Sequence, residues 1–386
     1  MSGVQVRDKL LSWGSDVEYG TIDQAEKAAR LPFVEGHVAL MPDAHIGIGS
    51  TVGSVIPTTG AVIPAAVGVD IGCGMIAAET TLTSKNLGDS LSKLMPLIER
   101  SIPAGVGKGR ENAIADGAFR NLGRPATTLT GKQESTAISQ FGTLGSGNHF
   151  VEICLDERDV VWAVLHSGSR GIGNQLAQRA MTEARGIMKE RLIHLEDPAL
   201  AYLTEGEDSF KQYIADMLWA QDYALGSRVQ MMNRALASLF KITKGGREAR
   251  RINCHHNFTQ LETHAGKNLW ITRKGAIKAD VGDEGVIPGS MGTRSYIVKG
   301  KGVAESWNSC SHGAGRKMSR GRAKETFTAS SLKKSMAGKN WNEDRASSLI
   351  DEHPGAYKDI DQVMADQSDL VEVQHVLHQV FNYKGT

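Results

Sequence analysis

Short apolar runs, each closed by glycine, histidine or a hydroxyl residue, dominate this chain, and sustained helical periodicity is confined to its middle. Residues 150–155 and 160–165 are apolar runs of strand length. Trp270-Ile271-Thr272-Arg273 and Ser295-Tyr296-Ile297-Val298 are β-branched and aromatic, and all four segments read as buried strands. The first 80 residues read as short strands and turns, with one helix near 23–30 that Pro32 stops. Leu91, Leu94, Leu97 and Ile98 fall at helical spacing, where Pro96 is expected to kink or split the helix. Residues 104–140 are rich in Gly, Ala, Thr and Ser and read as an irregular or mobile connection. Two long helices follow. From Gly173, the residues Leu176, Ala177, Ala180, Met181, Ala184, Ile187 and Met188 form one stripe. From Asp208, the residues Phe210, Ile214, Met217, Leu218, Gln221 and Leu225 begin a second that runs on toward Phe240. The methionines of these helices read as core filler. The pattern predicts an α+β fold, with a helical block inserted in, or flanking, a β-rich layer. No internal repeat, low-complexity tract or linker divides the chain.

Composition narrows the picture. A chain of 386 residues holds two ordinary domains or one large one with insertions, and 40% hydrophobic residues suffice for a core. The 43 glycines imply many tight turns and irregular loops. A net charge of +1 gives no global field for nucleic acid or membrane, so any basic surface is local. Two such clusters exist. Arg316, Lys317, Arg320, Arg322, Lys324, Lys333, Lys334 and Lys339 face only Glu325 between residues 313 and 339. Lys241, Lys244, Arg247, Arg250 and Arg251 form the other. Charge runs are usually solvated faces, but the first begins at a His-Gly-Ala-Gly loop and would set cations beside a phosphate handled there. Residues 1–15 lack a signal-peptide core, and no apolar stretch is long enough to span a bilayer. The cysteines at 73, 154, 254 and 310 match no disulfide scaffold, which fits a reducing cytoplasm.

The candidate chemistry starts at Asp70-Ile71-Gly72-Cys73. A hard carboxylate and a soft thiolate three residues apart, on glycine-rich backbone, suit a borderline divalent ion. Taken alone, a buried cysteine beside a turn aspartate is the commoner situation. The histidines shift the balance. Asn148-His149, His166-Ser167-Gly168, His255-His256-Asn257 and His312-Gly313 each put histidine with Gly or Asn at the end of an apolar run or on a loop. Loops on a rigid scaffold are where ligands and catalytic groups concentrate. The chain has no G-x-x-x-x-G-K-[ST] loop and no G-x-G-x-x-G fingerprint, which disfavours a P-loop or Rossmann fold. Residues 288–295 and 168–173 are glycine-rich anion-binding candidates, although each taken singly reads as an ordinary turn.

Taken together, the motifs resemble the RtcB family of RNA-splicing ligases. The resemblance runs from Met41-Pro42-Asp43-Ala44-His45 to Lys384-Gly385. It is carried by the 65–74 segment, by Gly142-Thr143-Leu144-Gly145-Ser146-Gly147-Asn148-His149-Phe150, and by His166-Ser167-Gly168-Ser169-Arg170-Gly171. Ile287-Pro288-Gly289-Ser290-Met291-Gly292, His312-Gly313-Ala314-Gly315-Arg316 and Pro354-Gly355-Ala356-Tyr357-Lys358 complete the set. The resemblance implies one compact α+β ligase domain over residues 1–386, with β-rich layers around a metal site and a helical insertion at about 173–240. It implies an RNA ligase that joins 2′,3′-cyclic phosphate or 3′-phosphate ends to 5′-hydroxyl ends in tRNA splicing or RNA repair. GTP and two manganese ions are the implied cofactors, and RNA with those ends, with an accessory activator protein, the candidate partners. Asp70, Cys73, His149, His166 and His256 match the metal ligands, with Cys73 bridging, and His312 matches the guanylylated histidine. Asn148, Phe150, Glu152, Ser290, Ser295, Ala314, Gly315, Tyr357 and Lys384 match positions that hold the guanylate.

Those residue types suit that chemistry. Neutral imidazole is a good nucleophile at phosphorus, and its phosphoramidate leaves readily once protonated. Glu152 accepting guanine N–H groups would explain GTP over ATP, because adenine lacks that donor pair. The alternatives are a metal-dependent cyclic phosphodiesterase, an enzyme that caps 3′-phosphate ends without ligating, and a non-catalytic RNA-binding factor. The 104–140 stretch is shorter and poorer in Lys and Arg than its counterparts, which bears on substrate choice, and Ser311 before His312 is harmless.

Overall fold

Two sheets built mainly from antiparallel strands organise the molecule, and the chain crosses between them at His256. The computed structural model describes residues 3–110 and 119–385. The larger sheet runs, in spatial order, Glu248–His255, Gly74–Thr83, Val160–Ser167, Phe150–Leu155, Val371–Lys384, Ser295–Gly300 and Glu284–Pro288. Its last strand returns against its first, so the sheet curls toward closure, and an Arg250–Glu284 ion pair ties the two ends. The smaller sheet runs Val4–Arg7, Leu10–Ser12, Val38–His45, Val52–Thr58, Lys267–Lys274 and Asn257–His264.

The alternation of side chains across the larger sheet explains its near-continuous apolar runs. Met75, Ala77, Phe150, Cys154, Trp162 and Val164 fill the inside of the curl. Ile76, Ala78, Val151, Ile153, Ala163 and Leu165 point outward, where Met231, Met232 and Leu239 of the long helix Asp208–Thr243 cover them. Both faces are therefore buried. The inward period also carries Glu152 and His166, and the ladders fix where these polar groups meet. His166 lies opposite both Met75 and Phe150, and Glu152 and Phe150 lie opposite Asn382 and Lys384. The polar positions thereby gather at one end of the curl.

The helical block consists of Arg170–Glu190 and Asp208–Thr243, the second extending beyond Phe240. Met217, Met231 and Met232 are fully buried, as core filler should be. The early helix is Tyr19–Ala29. Near Pro96 the chain forms a 3-10 turn, Gly88–Lys93, followed by the helix Leu94–Ser101. Pro96 falls in the first turn of that helix, where its missing N–H has no intrahelical acceptor to lose. One expectation is corrected. Residues 104–140 are not irregular throughout, because Gly131–Gln140 is a helix. The Gln133 N–H donates to Thr130 Oγ1, and the Thr130 N–H donates to Gln133 Oε1 at 2.8 Å, a reciprocal cap. Residues 111–118 of that stretch lie outside the described residues, as do Met1 and Ser2. No described helix is long and apolar enough to cross a membrane.

The long helix also presses on the 70–73 turn. Gly72 has φ +69°, and a Cβ there would stand 2.8 Å from Gln221 Cα in that helix. Gly72→Ala is therefore expected to cost about 2–3 kcal/mol, read as a lowered denaturant midpoint at unchanged m-value. An unaltered midpoint would show that the turn and helix separate freely.

A candidate two-cation centre beside a nucleotide-sized cavity

Five lone-pair donors converge at the polar end of the larger sheet. Asp70 and Cys73 come from the glycine-rich turn before Gly74–Thr83, His149 from the residue before Phe150–Leu155, and His166 from the end of Val160–Ser167. His256 comes from the crossing between the sheets. Cys73 Sγ lies 3.3 Å from His166 Nε2 and 3.6 Å from His149 Nε2. His149 Nε2 is 3.1 Å from Asp70 Oδ2, and His166 Nε2 is 3.4 Å from His256 Nε2. The donors fall into two triads that share the thiol: Asp70, Cys73 and His149, and Cys73, His166 and His256, with all ligand atoms of each within 4.8 Å of one another.

The second ring nitrogens explain why this set wants cations. His149 Nδ1 is 2.9 Å from the Leu144 carbonyl and His166 Nδ1 is 3.2 Å from the Asn148 carbonyl. Each Nδ1 therefore carries the proton and each Nε2 a lone pair. Asp70 Oδ1 accepts the Ser169 N–H at 3.0 Å, so Oδ2 is the oxygen turned to the His149 ring, and a Cβ at Gly168 would stand 2.1 Å from Oδ1. His256 Nδ1 is buried without a partner. Burial, with repulsion from neighbouring rings, pushes His166 and His256 well below the usual histidine range, so both are neutral. Burial and the Asp70 carboxylate push the Cys73 thiol well up. One thiol proton cannot satisfy the lone pairs of His149 and His166 together. Carboxylate, thiolate and imidazole on two triads is a donor set that fits two borderline divalent cations, which would displace that proton.

His312 stands beside this centre, its ring centroid 4.8 Å from that of His256. Its Nδ1 donates to Asp43 Oδ2 at 2.6 Å, and the backbone N–H groups of His312 and Gly313 donate to the same oxygen at 3.2 and 3.3 Å. Burial works against the Asp43 carboxylate, but the His312 contact together with His45 and Lys358 outweighs it and holds the group below the ordinary aspartate range. The arrangement fixes the tautomer with the Nε2 lone pair free, as a nucleophile at phosphorus requires.

A cavity of about 760 Å³ joins both groups. Asp70, Cys73, His166, His256 and His312 line it, together with Asn148, Phe150, Glu152, Ser290, Ala314, Gly315, Tyr357 and Lys384. Thus eight of the nine positions expected to hold the guanylate line this cavity. The ninth, Ser295, is buried and is not among the lining residues, and its Oγ accepts the Gly289 N–H at 3.4 Å beneath the loop. Burial pushes Glu152 up to about 7, against the pull of Lys384 and of Asn382, which donates to Oε1 at 2.9 Å. Lys384 lies over the Phe150 ring, 5.4 Å from its centroid.

Sequence reasoning missed several members of the site. Asp43 was visible in the Met-Pro-Asp-Ala-His motif, but its contact with a residue 269 positions away was not. Glu352 is buried and accepts from Lys384 Nζ and Tyr357 OH, both at 2.8 Å, and pairs with Arg320. Lys274, pushed down to about 7 by burial, lines the same cavity and donates to the Ile48 and Ala65 carbonyls. No local pattern marks either residue. A third group, Asp156, Glu157 and His375, is already satisfied. Asp156 accepts from Arg158, Val160 and Trp162, and Glu157 pairs with His375 at 2.7 Å.

Comparison with known proteins places this geometry in context. A family model described as "tRNA-splicing ligase RtcB" matches residues 24–385. The RNA-splicing ligase RtcB of Escherichia coli K12 is 46% identical over 397 aligned residues, covering 98% of this chain and 97% of that protein. The tRNA-splicing ligases RtcB of Aeropyrum pernix and Methanococcus maripaludis are 30% and 27% identical, covering 89% and 92% of this chain and 86% and 88% of theirs.

Because the two triads share one sulfur, Cys73→Ala should remove both cation sites rather than one. Equilibrium dialysis with Co²⁺ should give a stoichiometry near two for the parent protein and near zero for the variant. Retention of one tight ion by Cys73→Ala would show that the triads are independent.

Proposed function

The chain belongs to the RtcB family of RNA-splicing ligases, and on that premise we propose that it transfers a guanylyl group through His312. It is an RNA ligase that joins 3′-phosphate or 2′,3′-cyclic phosphate ends to 5′-hydroxyl ends. In our reading the guanylyl donor is GTP, the cations are two manganese ions, and their ligands are Asp70, Cys73, His149, His166 and His256. The observation that carries the reading is the contact of His312 Nδ1 with buried Asp43, which leaves Nε2 as a nucleophile beside the cavity that Asp70, Cys73, His166 and His256 also line. The same reading takes residues 1–386 as one ligase domain with a helical insertion over about 173–240. It places the protein in the cytoplasm, consistent with four free cysteines.

The residues divide the work as follows. His312 Nε2 attacks the α-phosphorus of GTP. The N–P bond forms, the α–β bridging P–O bond breaks, and pyrophosphate departs. Asp43 balances the positive charge that grows on the ring and keeps Nε2 aimed at phosphorus. Divalent cations, when bound, supply Lewis-acid neutralisation of phosphate charge. An oxygen of the RNA 3′-phosphate then attacks the guanylyl phosphorus and displaces His312. The 5′-hydroxyl attacks the RNA phosphorus of this 3′-guanylylated end, forming the phosphodiester and expelling GMP. Glu152, as carboxylate, accepts the two guanine N–H groups, and Phe150 and Lys384 close the same wall. Ser290, Ser295, Ala314, Gly315, Tyr357 and Asn148 complete the guanylate contacts in this reading, with Ser295 acting through the Gly289 loop rather than directly.

Incubation with α-labelled GTP and manganese should yield an acid-labile, alkali-stable label on the parent protein and none on His312→Ala. Asp43→Asn should slow labelling by about 10²-fold or more, since the amide no longer balances charge on the ring. A label that persists on His312→Ala would move the nucleophile elsewhere. Labelling without joining, in the presence of 3′-phosphate and 5′-hydroxyl RNA, would mark an end-capping enzyme.

Glu152 predicts a pH effect on nucleotide binding. With its pKa raised to about 7, it is mostly carboxylate at pH 8 and mostly protonated at pH 6. Protonation removes the acceptor, so GTP affinity, measured calorimetrically on His312→Ala to exclude the covalent step, should fall about tenfold between those values. Glu152→Gln should bind weakly at both. A flat profile in the parent site would remove Glu152 from base recognition.

A further inference from the structure

The long helix Asp208–Thr243 buries two charged side chains: Asp216, which accepts from Thr127, and Arg228, which is unused by the chemistry above. Arg228 is fully buried, yet no carboxylate among the described residues forms an ion pair with it. Three of its N–H groups end on neutral oxygen acceptors, and a fourth faces His255 Nδ1, which also lies 3.0 Å from the Gly72 carbonyl. Nη1 donates to the Gly72 carbonyl at 2.7 Å and to the Ser167 carbonyl at 3.0 Å. Nη2 reaches His255 Nδ1 at 3.1 Å, and Nε donates to Asn253 Oδ1 at 2.9 Å.

The positions of these acceptors carry the argument. Gly72 lies between Asp70 and Cys73, Ser167 directly follows His166, and His255 directly precedes His256. One rigid, planar group thus touches the immediate neighbours of ligands from both triads, on three segments far apart in sequence. A guanidinium holds its donors in a fixed fork, whereas an ammonium offers three donors from a single point. Burying such a cation without an ion pair is costly, and fixing three backbone segments is a return that no apolar side chain could give.

We propose that Arg228 is the positioning residue of the two-cation centre, setting the separation of the Asp70–Cys73 turn, His166 and His256 through its contacts with Gly72, Ser167 and His255. It touches neither cation nor substrate. Its loss should therefore alter cation affinity and ligand geometry before it alters any chemical step. The proposal rests on the reading that these five side chains hold metal, and the test separates the two claims.

The experiment is Co²⁺ titration of the parent protein, Arg228→Lys and Arg228→Met, followed by the thiolate-to-cobalt charge-transfer band, with circular dichroism as the check on folding. Lysine keeps the charge but cannot span three segments, so both variants should bind Co²⁺ about tenfold or more weaker, with the band shifted or reduced. Wild-type affinity, a stoichiometry of two and an unchanged band in folded Arg228→Lys would overturn the proposal. Full rescue by lysine with loss in methionine would also overturn it, by assigning the effect to charge alone. A parent protein that binds no Co²⁺ would instead overturn the metal reading on which the proposal rests. Where the Arg228 variants do not fold, Asn253→Ala frees Nε alone. A threefold or larger loss of Co²⁺ affinity there supports the proposal, and parent-like binding overturns it.

Discussion

Everything at the functional end of this molecule is arranged around one sulfur. Cys73 sits within 3.3–3.6 Å of the Nε2 atoms of two imidazoles whose Nδ1 protons are already committed to backbone carbonyls. Without cations, the packing of thiol, carboxylate and three imidazoles would leave lone pairs facing one another in a buried space, which is the costly case for polar groups. The fold enforces it nonetheless. The His166 register against Met75 and Phe150, the turn at Gly72 pinned by the long helix, and the crossing at His256 each remove one way for the cluster to relax. Such over-determination is what a metal site needs, because ligands that could move apart would bind weakly and without geometric choice.

The same logic extends from the proposed cation ligands to the proposed nucleophile. Asp43 is held by three N–H groups from the 312–313 segment, so the ring of His312 has one tautomer and one direction. Its neighbour His256 belongs to a cation triad, which brings the reacting nitrogen and the proposed source of charge neutralisation within one ring contact. Proximity of this kind lowers the barrier by removing the search for orientation, and it makes the effects of the two groups non-additive.

The sequence made some of this legible and concealed the rest for a physical reason. Asp70 and Cys73 were readable because both lie on one turn, and hard and soft ligands in one tetrapeptide are informative by themselves. The four histidine segments were readable as strand ends because apolar runs stop there. The two helices at Arg170–Glu190 and Asp208–Thr243 followed from their stripes. What escaped is non-local pairing. The strand Val371–Lys384 sets Asn382 and Lys384 opposite Glu152 and Phe150, a register settled by the whole sheet rather than by any window. Nothing local marks Arg228, which lies on an amphipathic helix, or Glu352, which lies just before a proline turn. The helix Gly131–Gln140 is a different failure, since its Thr130-x-x-Gln133 cap was present in the sequence and was outweighed by the small-residue composition around it.

The cavity has a polarity that its charges impose. His312 and four of the proposed cation ligands line it, and so does Glu152, which is buried with Asn382 and close to Lys384. Glu352 links this wall to the basic segment by accepting from Lys384 and Tyr357 while pairing with Arg320. Lys384 is shared between Glu352 and the Phe150 face, so the lysine that lies near the proposed base acceptor is itself held by a carboxylate from the opposite side. Glu352, Lys384 and Arg320 are thus paired among themselves before any ligand arrives, so this part of the site is organised in advance rather than assembled by its substrate.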